Sequence, residues 1–205
     1  MTTINKLHVS TGNTKMGKVA SVSLPPLKYC YHCKGVCDKD CYALKSWRLY
    51  KSVRKAWGEN DLLMIENIMA YGDSLVDWLT RHKSYKLFRW HVSGDIPNYA
   101  YLKMMCDVMA RLPHITSWAF TKNYEIVNEY LDNGEIIPDN LTMIFSNWGT
   151  FECYNPHNLP QCVVIESIEE FPINEPGAFL CGGDCQNCTI CRNLKRGHKV
   201  YIIKH

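Results

Sequence analysis

The sequence predicts an α/β protein: a small or incomplete (β/α) barrel of mostly parallel strands, with a cysteine-rich, metal-binding segment toward each end. Three observations carry this. Between Leu87 and Ile165 short apolar runs alternate with helical patterns, the signature of β/α units around a parallel sheet. Each of those runs ends in a polar loop. Of the chain's 11 cysteines, four lie between Cys30 and Cys41 and four between Cys181 and Cys191. At 205 residues and a net charge of +3, the chain has the size of one domain, 1–205, and no charge excess that dictates a partner.

Near the start, Thr11-Gly12-Asn13-Thr14-Lys15 reads as a turn, with anion binding through its backbone as the sharper alternative. The alternating run from Val19 to Leu24, stopped by Pro25-Pro26, reads as a strand. The first cysteine run follows, as C-x2-C-x3-C-x3-C over Cys30, Cys33, Cys37 and Cys41. Thiols this close share a metal centre without closing a long loop. Met1 to Lys18 has no apolar core of the kind a secretory leader carries, and no apolar run is long enough to cross a bilayer. A cytoplasmic setting without a membrane is therefore expected, and reduced thiols at this density favour metal over disulfides. Zinc and iron–sulfur both accept all-thiolate ligation, so the metal stays open.

Residues 42–57 are expected to form a helix. Leu44, Trp47, Tyr50 and Val53 share one face, and Lys45, Arg48, Lys51, Arg54 and Lys55 load the rest. Basic residues among aromatics suit phosphates and bases; a solvated helix face is the plainer reading. A second amphipathic helix is expected over 61–79, packing through Leu62, Ile65, Ile68, Met69, Leu75, Val76 and Leu79. Strands follow at 87–92, 115–120, 141–145 and 162–165, with helices from about Pro97 to Arg111 and over 124–131. A last strand is expected at 200–203. Leu102, Met105 and Met109 mark the buried face of the third helix. In a parallel sheet the loops after the strands share one rim. Those loops are Ser93-Gly94-Asp95, Thr121-Lys122-Asn123, Ser146-Asn147-Trp148 and Glu166-Ser167. Capping of the next helix explains one polar residue per loop, as for Asp95 or Asn123. Four polar loops together point to a binding rim. His91, within its strand, reads as a hydrogen-bonded core residue. The second run, Cys181-x3-Cys185-x2-Cys188-x2-Cys191, reads as a metal knuckle; His198 and His205 are further donors, although four thiols already fill a tetrahedral site.

Thr11-Gly-Asn-Thr-Lys15, the run closing in Cys41-Tyr-Ala43, His91-Val-Ser-Gly-Asp95, Thr121-Lys122 and the terminal knuckle together resemble a family of bacteriophage and prophage proteins named for the gene product 88 domain. A more distant resemblance is to radical SAM enzymes. These carry a C-x3-C-x2-C motif after the first strand, a Gly-Gly-Glu-Pro-like turn after the second and a Thr-Asn-Gly-like turn after the third. Cys33, Cys37 and Cys41-Tyr42 take the first place here, Ser93-Gly94-Asp95-Ile-Pro97 the second and Thr121-Lys122-Asn123 the third. The cysteine spacing is x3-x3 instead of x3-x2, and an aspartate replaces the glutamate. The resemblance implies a [4Fe–4S] cluster on the first run with Cys30 fourth or spare, and an auxiliary one near the C-terminus. It also implies S-adenosylmethionine against Ser93, Gly94, Asp95, Thr121 and Asn123, with Asn147 and Glu166 across the rim. A nucleotide or nucleic acid along Lys45, Arg48, Lys51 and Arg54 is the expected substrate.

Two other classes remain open. Base-exchanging transglycosylases, which the chain also resembles, are (β/α) barrels with rim aspartates and a C-terminal zinc knuckle. That resemblance makes Asp95 a nucleophile, exchanging a deazaguanine into DNA. The third class is a non-enzymatic, metal-stabilised module that grips nucleic acid or a host protein.

Overall fold

Every strand in the sheet runs the same way. A computed structural model describes residues 6–13, 15–35, 37–148, 152–185 and 187–204. Its strands are β1 (Ala20–Val22), β2 (Leu87–Trp90), β3 (Thr116–Thr121), β4 (Leu141–Asn147), β5 (Gln161–Ile165), β6 (Ala178–Leu180) and β7 (Lys199–Ile203). They pair in parallel in the order β1-β2-β3-β4-β5-β7-β6. The sheet is open: β1 and β6 are its edges, and the expected barrel closure is not seen among the described strands. β6 is three residues long, behind a stretch rich in Pro, Gly and Glu, and too short to leave a period in the sequence.

The helices are α1 (Tyr42–Leu49), α2 (Lys51–Glu66), α3 (Ile68–Arg81), α4 (Tyr99–Ala110), α5 (Tyr124–Asp132) and the short α6 (Ile190–Asn193). Two breaks differ from the expected ones. The chain kinks at Tyr50 and again at Asn67, whose side chain accepts from the Ala70 N–H at 2.9 Å and starts α3. Gly58, the residue that separates the helices on paper, lies inside α2 in open space. The breaks rotate the helical phase. Leu75 and Leu79 are buried as expected, but Leu62, Ile65 and Met69 are exposed, and α2 buries Asn60, Asp61 and Met64 instead. Asn60 explains part of this: it hydrogen-bonds the backbone of His8 on both sides and the carbonyl of Ser23, tying α2 to the chain around β1.

The two sheet faces are covered differently. Phe88, Trp90, Ala119, Met143 and Phe145 face α3, α4 and α5, where Leu102, Met105 and Met109 are fully buried. Trp118, Ile144, Cys162 and Val200 face the other way, under Met16, Leu194 and the second cysteine run. His91 ends β2 at a φ of 54° and is buried, its Nε2 3.0 Å from the Tyr101 hydroxyl. Burial pushes its pKa down to about 3, so it is a neutral core residue. The Thr11–Lys15 turn satisfies itself. Asn13 Oδ1 accepts from the N–H groups of Lys15 (3.0 Å) and Met16 (2.9 Å), the donors an anion would need. Thr14 lies outside the described residues.

Candidate functional site

Because all strands are parallel, the loops after β1 to β7 meet along one edge. The first cysteine run leaves β1 toward that rim and is pinned there by its neighbours. Asn123, completely buried at the start of α5, is the central pin. Its amide N donates to the carbonyls of Tyr29 (2.7 Å) and Ile96 (2.6 Å), and its Oδ1 accepts from the Tyr31 N–H at 3.2 Å. The Tyr31 hydroxyl donates to the Pro97 carbonyl at 2.8 Å. On the far side Asp61 receives the Tyr29 hydroxyl at 2.6 Å and the Lys28 ammonium at 2.5 Å. His32, between two of the cysteines, stacks on Tyr124 and lies 2.9 Å from Glu125. Loops after the first three strands are thus one bonded unit, with Asn123 as hub; its side chain makes no cap bond to α5.

Asp95 joins the second and third loops. Its Oδ1 accepts from the Thr121 hydroxyl (2.6 Å) and the Ile96 N–H (2.7 Å), and its Oδ2 from the Lys122 N–H at 2.8 Å. Burial outweighs these donors and raises the carboxyl pKa to about 6. Gly94 before it sits at φ 81°, and a Cβ there would come 2.8 Å from that of Leu24. Glycine is therefore required for β2's loop to pass over the end of β1. The Ser93 hydroxyl is buried and finds no hydrogen-bond partner among the described residues.

Lys122 is buried on the cysteine-covered side. Its ammonium donates to the Ser146 carbonyl (2.8 Å), the Ser146 hydroxyl (2.9 Å) and the Trp148 carbonyl (2.9 Å), fixing the loop after β4. Burial lowers its pKa, opposed by Cys37, Cys162, Asp95 and Cys153 nearby. It therefore stands between the two cysteine regions. Asn147 and Glu166 are at the rim but engaged elsewhere: Asn147 donates to Gln161 at 3.3 Å, and exposed Glu166 pairs with Lys204 at 3.5 Å. Lys204 also reaches Asp40, at 3.3 Å, so the chain beyond β7 touches the first cysteine run.

All 11 cysteines are free thiols. Burial raises Cys30 and Cys33, and lifts Cys37 to about 11. The second run leaves β6 and folds back over the sheet. The Cys181 N–H donates to the Tyr201 carbonyl at 2.8 Å, the Cys185 N–H to the Lys15 carbonyl at 3.1 Å and the Thr142 hydroxyl to the Arg192 carbonyl at 3.1 Å. Cys185 is raised by burial, and Cys162 and Cys191 reach about 12. Among the described residues no three His, Cys, Asp or Glu side chains converge tightly enough to hold an ion. The expected ligands Cys30, Cys33, Cys37, Cys41, Cys181, Cys185, Cys188 and Cys191 are gathered as two neighbourhoods, not closed as two ligand sets. His198 is turned to the Lys195 N–H and the Phe179 ring, and His205 lies outside the described residues.

Lys45, Arg48 and Lys51 are exposed along the α1–α2 corner. Arg54 is not free in the same way: its guanidinium donates to the carbonyls of Trp47 and Arg48, both at 2.8 Å, capping the end of α1. Arg89 and Cys162 carry no sequence signal as site residues, being single polar positions inside strands. Arg89 lies over the Phe120 ring on the cysteine-covered face, 5.1 Å from its centroid, and its Nε has no hydrogen-bond partner among the described residues. Lys122 is visible in its loop but not as a link between the cysteine regions. A cavity of about 290 Å³ opens beside α5, lined by Tyr124, Glu125, Asn128, Glu129, Asp132 and Tyr154.

These features define a class: a parallel α/β protein whose strand-end rim gathers thiols, a buried carboxylate and a buried lysine. Within it the chain belongs to the Gene product 88 family, whose model matches residues 3–193. This is the phage family that the sequence motifs resemble. No curated protein and no solved structure matches the chain. Among the described residues no helix is long and apolar enough to cross a membrane.

Proposed function

We propose that this chain is an iron–sulfur enzyme built like a partial radical SAM barrel, acting on a nucleotide or nucleic acid. The observation that carries the reading is the pinning of the first cysteine run, through Asn123, to the loops after β2 and β3 at one rim. The donor set suits the group: four thiols in one short loop, beside a buried Ser93 hydroxyl without a partner. Cys33, Cys37 and Cys41 would hold a [4Fe–4S] cluster, which when bound supplies the electron for reductive cleavage of S-adenosylmethionine. Asp95 and Thr121 shape the wall against which that cofactor's amino acid and ribose would lie. Because three donors already engage the Asp95 carboxylate, it orients the loops more than it offers a free nucleophile. That favours this reading over base exchange. Lys45, Arg48 and Lys51 lead away from the cysteine run along α1 and α2, a path for phosphates.

Anaerobic reconstitution with iron and sulfide, followed by absorption and electron paramagnetic resonance spectra, tests the cluster. Cleavage of S-adenosylmethionine tests the chemistry. Cluster signals lost in Cys37→Ala, together with cofactor cleavage, are expected. A colourless protein that takes only zinc and cleaves nothing overturns the reading. Steeply salt-dependent DNA binding by such a protein would favour the binding module.

A further inference from the structure

Sequence spacing groups Cys181, Cys185, Cys188 and Cys191, and leaves Cys162 alone 19 positions earlier in the chain. The fold groups them differently. β5 pairs with β7 and β7 with β6, so Cys162, Val200 and Phe179 form one row across three strands. Strand alternation then places Cys181, two residues after Phe179, on the same face. α6 brings Cys191 onto that face, and the Cys185 N–H bond to Lys15 holds Cys185 there. Cys162, Cys181, Cys185 and Cys191 consequently share one apolar cluster with Trp118 and Leu194. Cys188 is outside it, and its sulfur accepts the Ile190 N–H at 3.4 Å.

We propose that Cys162 is a ligand of the C-terminal metal centre, taking the place that spacing gives to Cys188. The inference rests on the reading of the second run as metal-binding. Three thiols come from the crossover between β6 and β7 and one from the interior strand β5, so the centre is fastened to the sheet itself. The ligand is a thiophilic metal, zinc or an iron–sulfur cluster, since the nest is apolar and offers sulfur donors only. Loading deprotonates thiols that burial otherwise keeps neutral, and Arg89, which faces the same nest, offsets the resulting negative charge. A buried cysteine with no such role behaves as a small apolar residue, so Cys162→Ala separates the two cases.

The test uses the full reduced chain in two anaerobic arms, zinc(II) alone and iron(II) with sulfide, with bound metal counted and zinc affinity measured by chelator competition. Cys185→Ala first locates the centre. If it removes one centre's metal, the reading of the run stands. Cys162→Ala and Cys162→Ser are then expected to remove the same amount, with zinc affinity at least about 100-fold weaker, more than an outer-sphere partner costs. Cys188→Ala, at a partly exposed position that does not threaten folding, is expected to keep the centre. Full metal in the Cys162 variants, or loss in Cys188→Ala, overturns the inference and leaves the centre in place. Full metal in Cys185→Ala removes the centre and the inference together. Cys106→Ala, a buried thiol in the helix layer, controls for loss of packing. The arm that fills names the metal.

Discussion

The two faces of the sheet are cut from the same strands and differ in what covers them. On one, Phe88, Trp90, Met143 and Phe145 meet three long helices in an apolar core. On the other, Trp118, Ile144 and Val200 meet a four-residue helix and a cysteine-rich crossover, with Arg89 and Lys122 at the margin. The helix-covered face supplies stability through area removed from water. The cysteine-covered face buries Lys122 and thiols whose pKa values burial displaces.

The largest test of that division is a pair of substitutions. Trp90→Ala on the helix face is expected to cost about 3–5 kcal/mol in urea unfolding. Trp118→Ala on the other face should cost less than half as much, since its cover is short. Equal losses would erase the distinction. The acid response sharpens it next. Burial holds His91 down at about 3 in the fold, against an ordinary imidazole's 6.5. The unfolded chain therefore binds more protons between those values, and stability falls as the pH drops through that window. From pH 6.5 to 4.5 the loss is about 2 kcal/mol. Asp95, raised from 3.8 to about 6, acts in the opposite sense: the fold binds the extra proton, so its contribution declines as pH rises from 4 to 6. His91→Gln should remove the acid-side loss and leave the Asp95 slope visible in urea midpoints.

Asn123→Ala would orphan two carbonyls and an N–H at the rim, a loss of roughly 2 kcal/mol. Hydrogen exchange should show it concentrated at residues 29–33, with the strands still protected. The smallest effect is at the basic corner. Arg54→Ala should cost about 1 kcal/mol by uncapping α1. Lys45→Gln, Arg48→Gln and Lys51→Gln should leave the unfolding midpoint unchanged and lower the salt dependence of any DNA binding.

The alternation of strand and helix was legible because β2 to β5 are flanked by Gly, Pro or polar loops, and their apolar residues repeat with the correct period. The rim followed from parallelism alone. Helix breaks were not legible, since the bonds at Tyr50 and Asn67 are local end bonds that leave the apolar pattern uninterrupted, while Gly58 breaks nothing. The openness of the sheet is set by which strands find partners, which no single strand encodes. The cysteines of the two runs announce themselves by spacing. Lys122, Arg89 and Cys162 become neighbours only through strand order, so sequence spacing is blind to their placement. Asp95 and Asn123 were found as rim residues, but their engagement with three backbone segments needed coordinates.

The order β5-β7-β6 has a consequence for how the chain is made. β6 touches the sheet only through β7, so it waits for a strand synthesised about twenty residues after it. Until Lys199–Ile203 has emerged and inserted, Ala178–Leu180 has no strand to pair with and the Cys181 N–H lacks the Tyr201 carbonyl it donates to. The last strand is the bolt that draws this segment home. β6 is therefore set late, after the strands that precede it in the chain.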